Sequence, residues 1–380
     1  MTENRNHLFA SLALVPASLL VLALLAEVFF RLVLPAPEVP RPAYLDEVLR
    51  HEPGQTGVFW HGRDYRTPFA INAQGWNSGR AQYPLERGAA LRIAVVGDSY
   101  VEALQVPPQA SLAEGLEREL AAGGAVVEVF RYGISGAPLS QYLHMVRRAV
   151  LPARPDVVAV LLVHNDFDES YRQAVGLYTK SFLTFELGAG GAVTEIPPVP
   201  YRQGALAWLR NRSATWRYLS HGTLLNLAAS RALILGSRDQ ARYEANVDVT
   251  GLEAREALDR RATAYGFGQL QAACAAARAR LVLLMDGVRA GIEAGQLSGA
   301  EAEYESGALR LNRMARQEAE RLGIPFVDLH PVFAQDFRRN ARPFAHPTDG
   351  HWNAYAHSLA ARALAAKLRE LGLVAPARLQ

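Results

Sequence analysis

Five short apolar runs between Leu91 and Leu329 alternate with longer segments that carry apolar residues on one face, and this alternation restricts the fold more than any other feature of the chain. The runs are Leu91–Val96, Val126–Phe130, Val157–Val163, Leu281–Met285 and Pro325–Leu329. Ser111–Ala122, Leu139–Val150, Gly251–Arg280, Ala300–Leu322 and Asn353–Leu371 read as helices. Strands interleaved with helices predict a parallel sheet covered on both faces, because parallel neighbours need a crossover and the crossover helix buries the sheet. In such sheets ligands collect at the carboxyl ends of the strands.

The N-terminal part has a different character. Leu8–Ala26 is 19 residues without a charge, about 29 Å of helix at 1.5 Å per residue, long enough to cross a bilayer. A cleavable signal peptide is the competing reading, but the run exceeds the usual apolar core of such peptides and no clear Ala-x-Ala site follows. We expect a tail over residues 1–7 and an uncleaved transmembrane anchor over 8–30 that contacts the lipid bilayer. Glu27 and Arg31 suit the headgroup region, where long side chains reach out of the hydrocarbon, although Glu27 could equally meet a partner helix. Arg5 before the span against Arg31 and Arg41 after it is too even a balance to orient it. Pro35, Pro37, Pro40 and Pro42 mark a stiff spacer, which with a strand-rich lead-in fills residues 31–88. The main domain is expected over 89–375, with an insertion at 167–250 that lacks clean alternation and reads as a lid or small subdomain. Its aromatics, among them Tyr171, Tyr178, Phe182, Phe185, Tyr201, Trp208, Trp216, Tyr218 and Tyr243, are expected to form the cap's own core, with stacking on sugar rings as the alternative.

Composition removes several chemistries. Forty Lys and Arg against 37 Asp and Glu leave a net charge of +3 with no basic stripe, so no nucleic-acid partner is expected. Lys180 and Lys367 are the only lysines and neither follows a Gly-x-x-x-x-Gly pattern, which excludes a P-loop and leaves few candidates for Schiff-base chemistry. Cys274 is the single cysteine, lies in an Ala-rich run, and reads as a core helix residue. No cluster has convincing metal spacing, and neither a cofactor nor a metal is expected.

The strand ends carry the chemistry. The first strand runs into Gly97-Asp98-Ser99, the second into Gly133-Ile134-Ser135-Gly136, and the third into His164-Asn165-Asp166. After the fifth strand and a loop of about 19 residues come Asp349-Gly350-His351-Trp352-Asn353 at the start of the last helix. Acyl transfer by serine needs a hydroxyl, an imidazole to take its proton, a carboxylate to orient the ring, and donors for the oxyanion. Ser99 is the candidate nucleophile, His351 the base and Asp349 its orienting acid. The Ser99 and Gly136 backbone N–H groups and the Asn165 side chain are the candidate oxyanion donors. Asp98 is assigned to a cap rather than to proton transfer, and a short helical turn is expected over Tyr100–Gln105.

These blocks resemble the SGNH (GDSL-like) hydrolase superfamily, which supplies a serine from Gly-Asp-Ser, a glycine, an asparagine and a C-terminal Asp/His pair. The resemblance spans roughly residues 89–375 and implies a flavodoxin-like three-layer α/β/α sandwich, here with an added N-terminal transmembrane helix. Two positions depart from the pattern. His164 replaces the glycine usual before the asparagine, where it could tighten the pocket or add a polar group. The Asp-x-His-Trp-Asn spacing is similar to the branch that includes alginate O-acetyltransferases. Asp328-Leu329-His330 has the same Asp-x-His spacing, but the family's order favours Asp349/His351. His144 and His357 are expected to be surface or packing residues, and His346 to line the entrance. The resemblance implies a serine esterase acting on an acylated, foremost acetylated, glycan or other ester. An acyltransferase to a polysaccharide hydroxyl is the alternative, and a non-catalytic glycan-binding scaffold a further one. By analogy with cell-envelope members, it implies a single-pass protein of the bacterial inner membrane with a periplasmic catalytic domain.

Overall fold

A computed structural model of the chain describes residues 2–173, 176, 178–221, 243–244, 247–249, 251–293 and 307–374. Its centre is a five-stranded parallel sheet. The strands are β1 (Leu91–Gly97), β2 (Val127–Gly133), β3 (Val157–Leu162), β4 (Arg280–Met285) and β5 (Phe326–Asp328). Their order across the sheet is β2-β1-β3-β4-β5, the flavodoxin-like order. The chain winds outward from β1 to β2, then returns past β1 to β3, so the switch point lies between β1 and β3. β3 is central and buried along its whole length, which explains its uninterrupted Val-Val-Ala-Val-Leu-Leu sequence.

The principal helices are α1 (Thr2–Leu32), α2 (Leu112–Ala122), α3 (Leu139–Met145), α4 (Leu252–Ala276), α5 (Leu309–Arg321), α6 (Leu329–Asn340) and α7 (Ala354–Glu370). Alternate strand residues separate the two faces. Ala94, Val96, Val158 and Val160 join a core with α3, α4 and α5 that includes Phe267, Leu270 and Cys274. Ile93, Val95, Ala159 and Leu161 join a second core with α2, α6 and α7. Ser111 caps α2, accepting from the Glu114 N–H while its hydroxyl meets the Glu114 carboxylate. Asn353 caps α7 by accepting from the Tyr355 and Ala356 N–H groups.

Several elements differ from the sequence expectation. β2 continues through Arg131 and Tyr132 to Gly133, because Arg131 is buried beside Glu114 rather than ending the strand. The segment expected as one helix over Leu139–Val150 is α-helical to Met145 and then widens into a π turn over Val146–Val150. The loop expected after the fifth strand contains α6, started by Asp328, whose side chain accepts from the His330 N–H. Pro331 in its first turn reads as a breaker but is compatible with a helix start. Ala300, the expected start of another helix, lies outside the described residues, and the helix is described from Leu309.

Residues 42–70 form two antiparallel hairpins, Pro42–Leu45 with Val48–His51 and Thr56–His61 with Tyr65–Ala70. The lead-in packs closely on the sheet domain, since Val48, Leu49, Trp76 and Tyr83 are buried in the first core. The insertion begins with a hairpin, Thr184–Leu187 with Val193–Ile196, and two helices, Ala205–Arg212 and Ala214–His221. Phe182 and Phe185 belong to the main core, whereas Trp208 and Trp216 are exposed. Residues 222–242 of the insertion, and the side chain of Tyr243, lie outside the described residues. The exposed apolar segment Leu14–Leu32 of α1 is long and apolar enough to cross a membrane.

Candidate active site

The nucleophile candidate sits where β1 ends. Gly97 closes the strand, Asp98 accepts from the Tyr100 N–H at 2.9 Å, and Ser99–Glu102 makes one helical turn. The capping role expected of Asp98 is therefore visible, and the turn begins one residue earlier than the sequence suggested. The turn lies directly against the end of β2. A Cβ on Gly133 would stand 2.1 Å from the Glu102 backbone nitrogen, so only glycine permits this approach.

Ser99 and His351, 252 residues apart, meet with Oγ 2.8 Å from Nε2. His351 Nδ1 lies 2.5 Å from Asp349 Oδ1, and the His351 backbone N–H donates to the same oxygen at 3.0 Å. The second oxygen, Asp349 Oδ2, accepts from the Tyr65 hydroxyl at 2.5 Å. Burial alone would raise the pKa of Asp349, but the hydrogen bonds and charge of His351, with the Tyr65 hydroxyl, outweigh it and hold the carboxyl below its ordinary range. Asp98 behaves in the opposite way: burial dominates and pushes it up to about 6, against the Tyr100 N–H and the charge of His351.

The oxyanion candidates flank this turn, because β2 and β3 are the two neighbours of β1. Gly136 follows β2 with φ +71°, a left-handed conformation that favours glycine. Its loop is anchored by Glu102, which accepts from the Ser135 N–H at 2.9 Å and from the Ser135 hydroxyl. The other Glu102 oxygen lies 2.6 Å from His51 Nε2 in a pair with both partners buried. Burial acts to raise the Glu102 pKa, but His51 and Ser135 overcome it and hold the carboxyl low. Asn165 follows β3 and starts the turn Asp166–Glu169. Burial pushes the Glu169 carboxyl up to about 7, against the lowering effect of the neighbouring Asn165 side chain.

The remaining candidates fall in distinct places. Asp328 is committed to α6, to Asn312 at 3.0 Å and to Arg316 at 2.5 Å, and it is His351, not His330, that meets Ser99. His164 is buried and bonds Asn312 at 2.8 Å. His357 accepts from the Leu112 N–H in the core, His144 lies against the Glu47 carbonyl, and His346 packs tilted against Tyr65 with centroids 4.7 Å apart. Among the described residues no group of three or more His, Cys, Asp or Glu side chains is placed to hold a metal ion.

Sequence reasoning missed the groups that hold this arrangement. Tyr65 and Asp64 come from the lead-in, Asp64 accepting from the Thr348 N–H at 2.6 Å and from its hydroxyl at 2.8 Å. Beneath the loop that carries the base, buried Arg289 donates to the Gly350 carbonyl at 2.7 Å and pairs with Asp286 at 3.2 Å. Asp286 in turn accepts from the Trp352 indole at 2.9 Å. No local motif marks these residues; the only signal was charge inside otherwise apolar stretches. A small cleft at Gly136, Glu169 and Phe182 shares Gln173 and Thr179 with a groove of about 720 Å3 that also contains Tyr178, Lys180, Tyr201 and Arg202.

The model of the GDSL-like lipase/acylhydrolase family matches residues 95–359. The chain belongs to this family. As a GDSL-like acylhydrolase it is an ester-bond hydrolase. No curated protein sequence is matched. Solved structures similar to this GDSL-like hydrolase include a lipase/acylhydrolase from Enterococcus faecalis, 13% identical, covering 76% of this chain and 99% of that one, with a TM-score of 0.40. An acetylxylan esterase from Geobacillus stearothermophilus, solved as a catalytic mutant, is 14% identical over 75% of this chain and 96% of its own, with a TM-score of 0.38. A two-domain esterase active on acetylated mannans is 11% identical over 76% of this chain and 51% of its own, with a TM-score of 0.40.

Proposed function

We propose that this hydrolase is a membrane-anchored serine esterase that removes acyl groups, acetyl foremost, from a glycan outside the cytoplasm. The observation that carries the chemistry is the continuous hydrogen-bond chain from Tyr65 through Asp349 and His351 to Ser99. His351 Nε2 takes the hydroxyl proton as Ser99 Oγ bonds to the ester carbonyl carbon. Asp349, held ionised, fixes the ring's tautomer and stabilises the imidazolium. The charge that develops on the carbonyl oxygen meets the Ser99 and Gly136 N–H groups and the Asn165 amide. The imidazolium returns its proton to the leaving alcohol as the C–O bond breaks. Water, deprotonated by His351, then releases the acid and restores Ser99.

The groove beside Gly136, with Tyr178 and Tyr201 on its walls, supports a bound sugar chain. It also favours a second reading, an acyltransferase in which a sugar hydroxyl replaces water in the second step. The exposed apolar helix supports an anchor, and the resemblance to cell-envelope members supports the bacterial inner membrane with the catalytic domain on its periplasmic side.

Ser99→Ala and His351→Ala should each lower turnover of a chromogenic acetyl ester by several orders of magnitude. Activity retained in both would overturn the mechanism. Incubation with an acetylated polysaccharide and an unacetylated acceptor, followed by mass spectrometry, separates free acetate from acetylated acceptor and so selects between the two readings.

A further inference from the structure

The helix pair of the insertion docks on the polar end of the apolar helix. Glu27, the first charged residue after the uncharged run, accepts from the Ala214 N–H at 2.8 Å, the Thr215 N–H at 3.1 Å and the Ser213 hydroxyl at 2.9 Å. It thereby caps the second helix of the pair. The sequence placed Glu27 with Arg31 among lipid headgroups or against a partner helix, and the partner is this insertion helix. Arg31 donates to the Arg212 carbonyl at 2.9 Å, and Phe30 stacks on Tyr218 with centroids 4.4 Å apart.

The uncharged run is about as long as the hydrocarbon core is thick, so Glu27, where it ends, stands at the boundary between hydrocarbon and headgroups. The helix pair lies at that same depth. Its outer surface presents Trp208 (48% exposed), Leu209 (57%) and Trp216 (42%). Arg212 lies over the Trp208 ring at 4.8 Å and Arg210 over the Trp216 ring at 4.3 Å. Indoles paired with guanidinium groups suit the membrane interface, where the ring meets apolar material and the cation reaches phosphate. Phe29 and Leu32 at the end of α1, and Val33 just after it, are exposed nearby, extending the apolar surface. Between the two elements is a polar cavity of about 250 Å3 lined by Arg31, Arg41, Arg212 and Arg217, with Glu38 as its acidic member. Arg31 is paired with Glu27 at 2.8 Å and Arg41 with Glu52 at 2.7 Å, so Arg212 and Arg217 face Glu38 as the cavity's own carboxylate, a surplus of positive charge that favours an anionic phosphate.

We propose that residues 205–221 form an interfacial seat for the bilayer, with Trp208 and Trp216 at headgroup depth and the arginine-lined cavity holding the phosphate of an anionic lipid. The seat rests on the anchor reading. It fixes the sheet domain against the membrane at two points, and one helix on a proline-rich spacer could not do this alone.

The test uses the full chain reconstituted in vesicles whose lipids carry bromine near the headgroup, read by tryptophan fluorescence. Trp76 and Trp352 are buried and Trp60 packs against Tyr218, so the lipid-borne quencher reports chiefly Trp208 and Trp216. Wild-type emission should be quenched, and the paired substitution W208F/W216F should remove most of that quenching without changing hydrolysis of a soluble ester. Quenching should rise when phosphatidylglycerol is added to phosphatidylcholine, and R212Q/R217Q should abolish the rise. Wild-type emission untouched by brominated lipid, in protein that resists carbonate extraction, overturns the seat and leaves the anchor standing. Protein released by carbonate overturns the anchor and the seat with it. Reversal of the phosphatidylglycerol effect by inorganic phosphate would assign the cavity to free phosphate and overturn its lipid role.

Discussion

Removing one hydroxyl from the lead-in hairpin tests how the catalytic acid is held. Tyr65→Phe keeps the ring, and so the packing against Phe59 and His346, but deletes the donor 2.5 Å from Asp349 Oδ2. A hydrogen bond to a charged group contributes about 1.5–3 kcal/mol, which corresponds to roughly 10- to 150-fold in rate if expressed wholly in the transition state. Asp349 should stay ionised at neutral pH, because the side-chain hydrogen bond and the charge of His351, each larger in effect than the Tyr65 hydroxyl, remain. The loss should therefore fall on kcat, through a less well fixed imidazole, and leave KM unchanged, since Tyr65 does not line the groove. The assay is steady-state hydrolysis of an acetyl ester from acid to mildly alkaline pH, with the melting temperature as a folding control. Wild-type kcat in the folded variant would refute the claim that this hydroxyl positions the acid.

Four other substitutions probe the surrounding structure. Asp349→Asn should cost roughly three to four orders of magnitude in kcat through the wrong imidazole tautomer, whereas Asp328→Asn should lower the melting temperature by weakening the Arg316 pair and the α6 cap; a larger kcat loss in the latter would reassign the pair. Glu102→Gln disrupts the buried hydrogen bonds that the Glu102 carboxylate makes with His51 and Ser135 and should cost about 1.5–3 kcal/mol in urea unfolding. Because the folded state holds Glu102 below its ordinary value, its contribution is complete above the unfolded pKa of about 4.3 and is lost as pH falls through the lower folded value. The wild-type urea midpoint should consequently drop more steeply in acid than the variant's, and parallel profiles would contradict this. Gly133→Ala forces a methyl onto the Glu102 backbone nitrogen and should destabilise by about 1–3 kcal/mol while lowering kcat; an unaffected enzyme would mean that the Ser99 turn can shift freely.

Much of the sheet domain was legible because its signals are local and repeated. β3 is apolar along its length since it is covered on both faces, and Gly97-Asp98-Ser99 stands where a strand must turn into a helix. Legibility failed where a polar residue is buried or a helix begins with proline. Arg131 inside β2 and Pro331 inside α6 both look like breaks, and burial beside Glu114 and a capping Asp328 explain why they are not. The candidate acid and base were readable as a spaced pair near the last helix, but their spacing could not separate them from Asp328 and His330. Three-dimensional proximity does so, through the 2.8 Å contact between His351 and Ser99.

The order of strands and helices, and with it the end of the sheet where chemistry gathers, was determined by the sequence alone, because hydrophobic periodicity is written residue by residue. The partners of the buried charges were decided only by tertiary structure. Tyr65 reaches Asp349 across 284 positions, His51 reaches Glu102 across 51, and Glu27 reaches Ala214 across 187. A buried charge must find a partner, but any of many residues can satisfy it, and which one does so depends on how the lead-in and the insertion pack against the sheet domain.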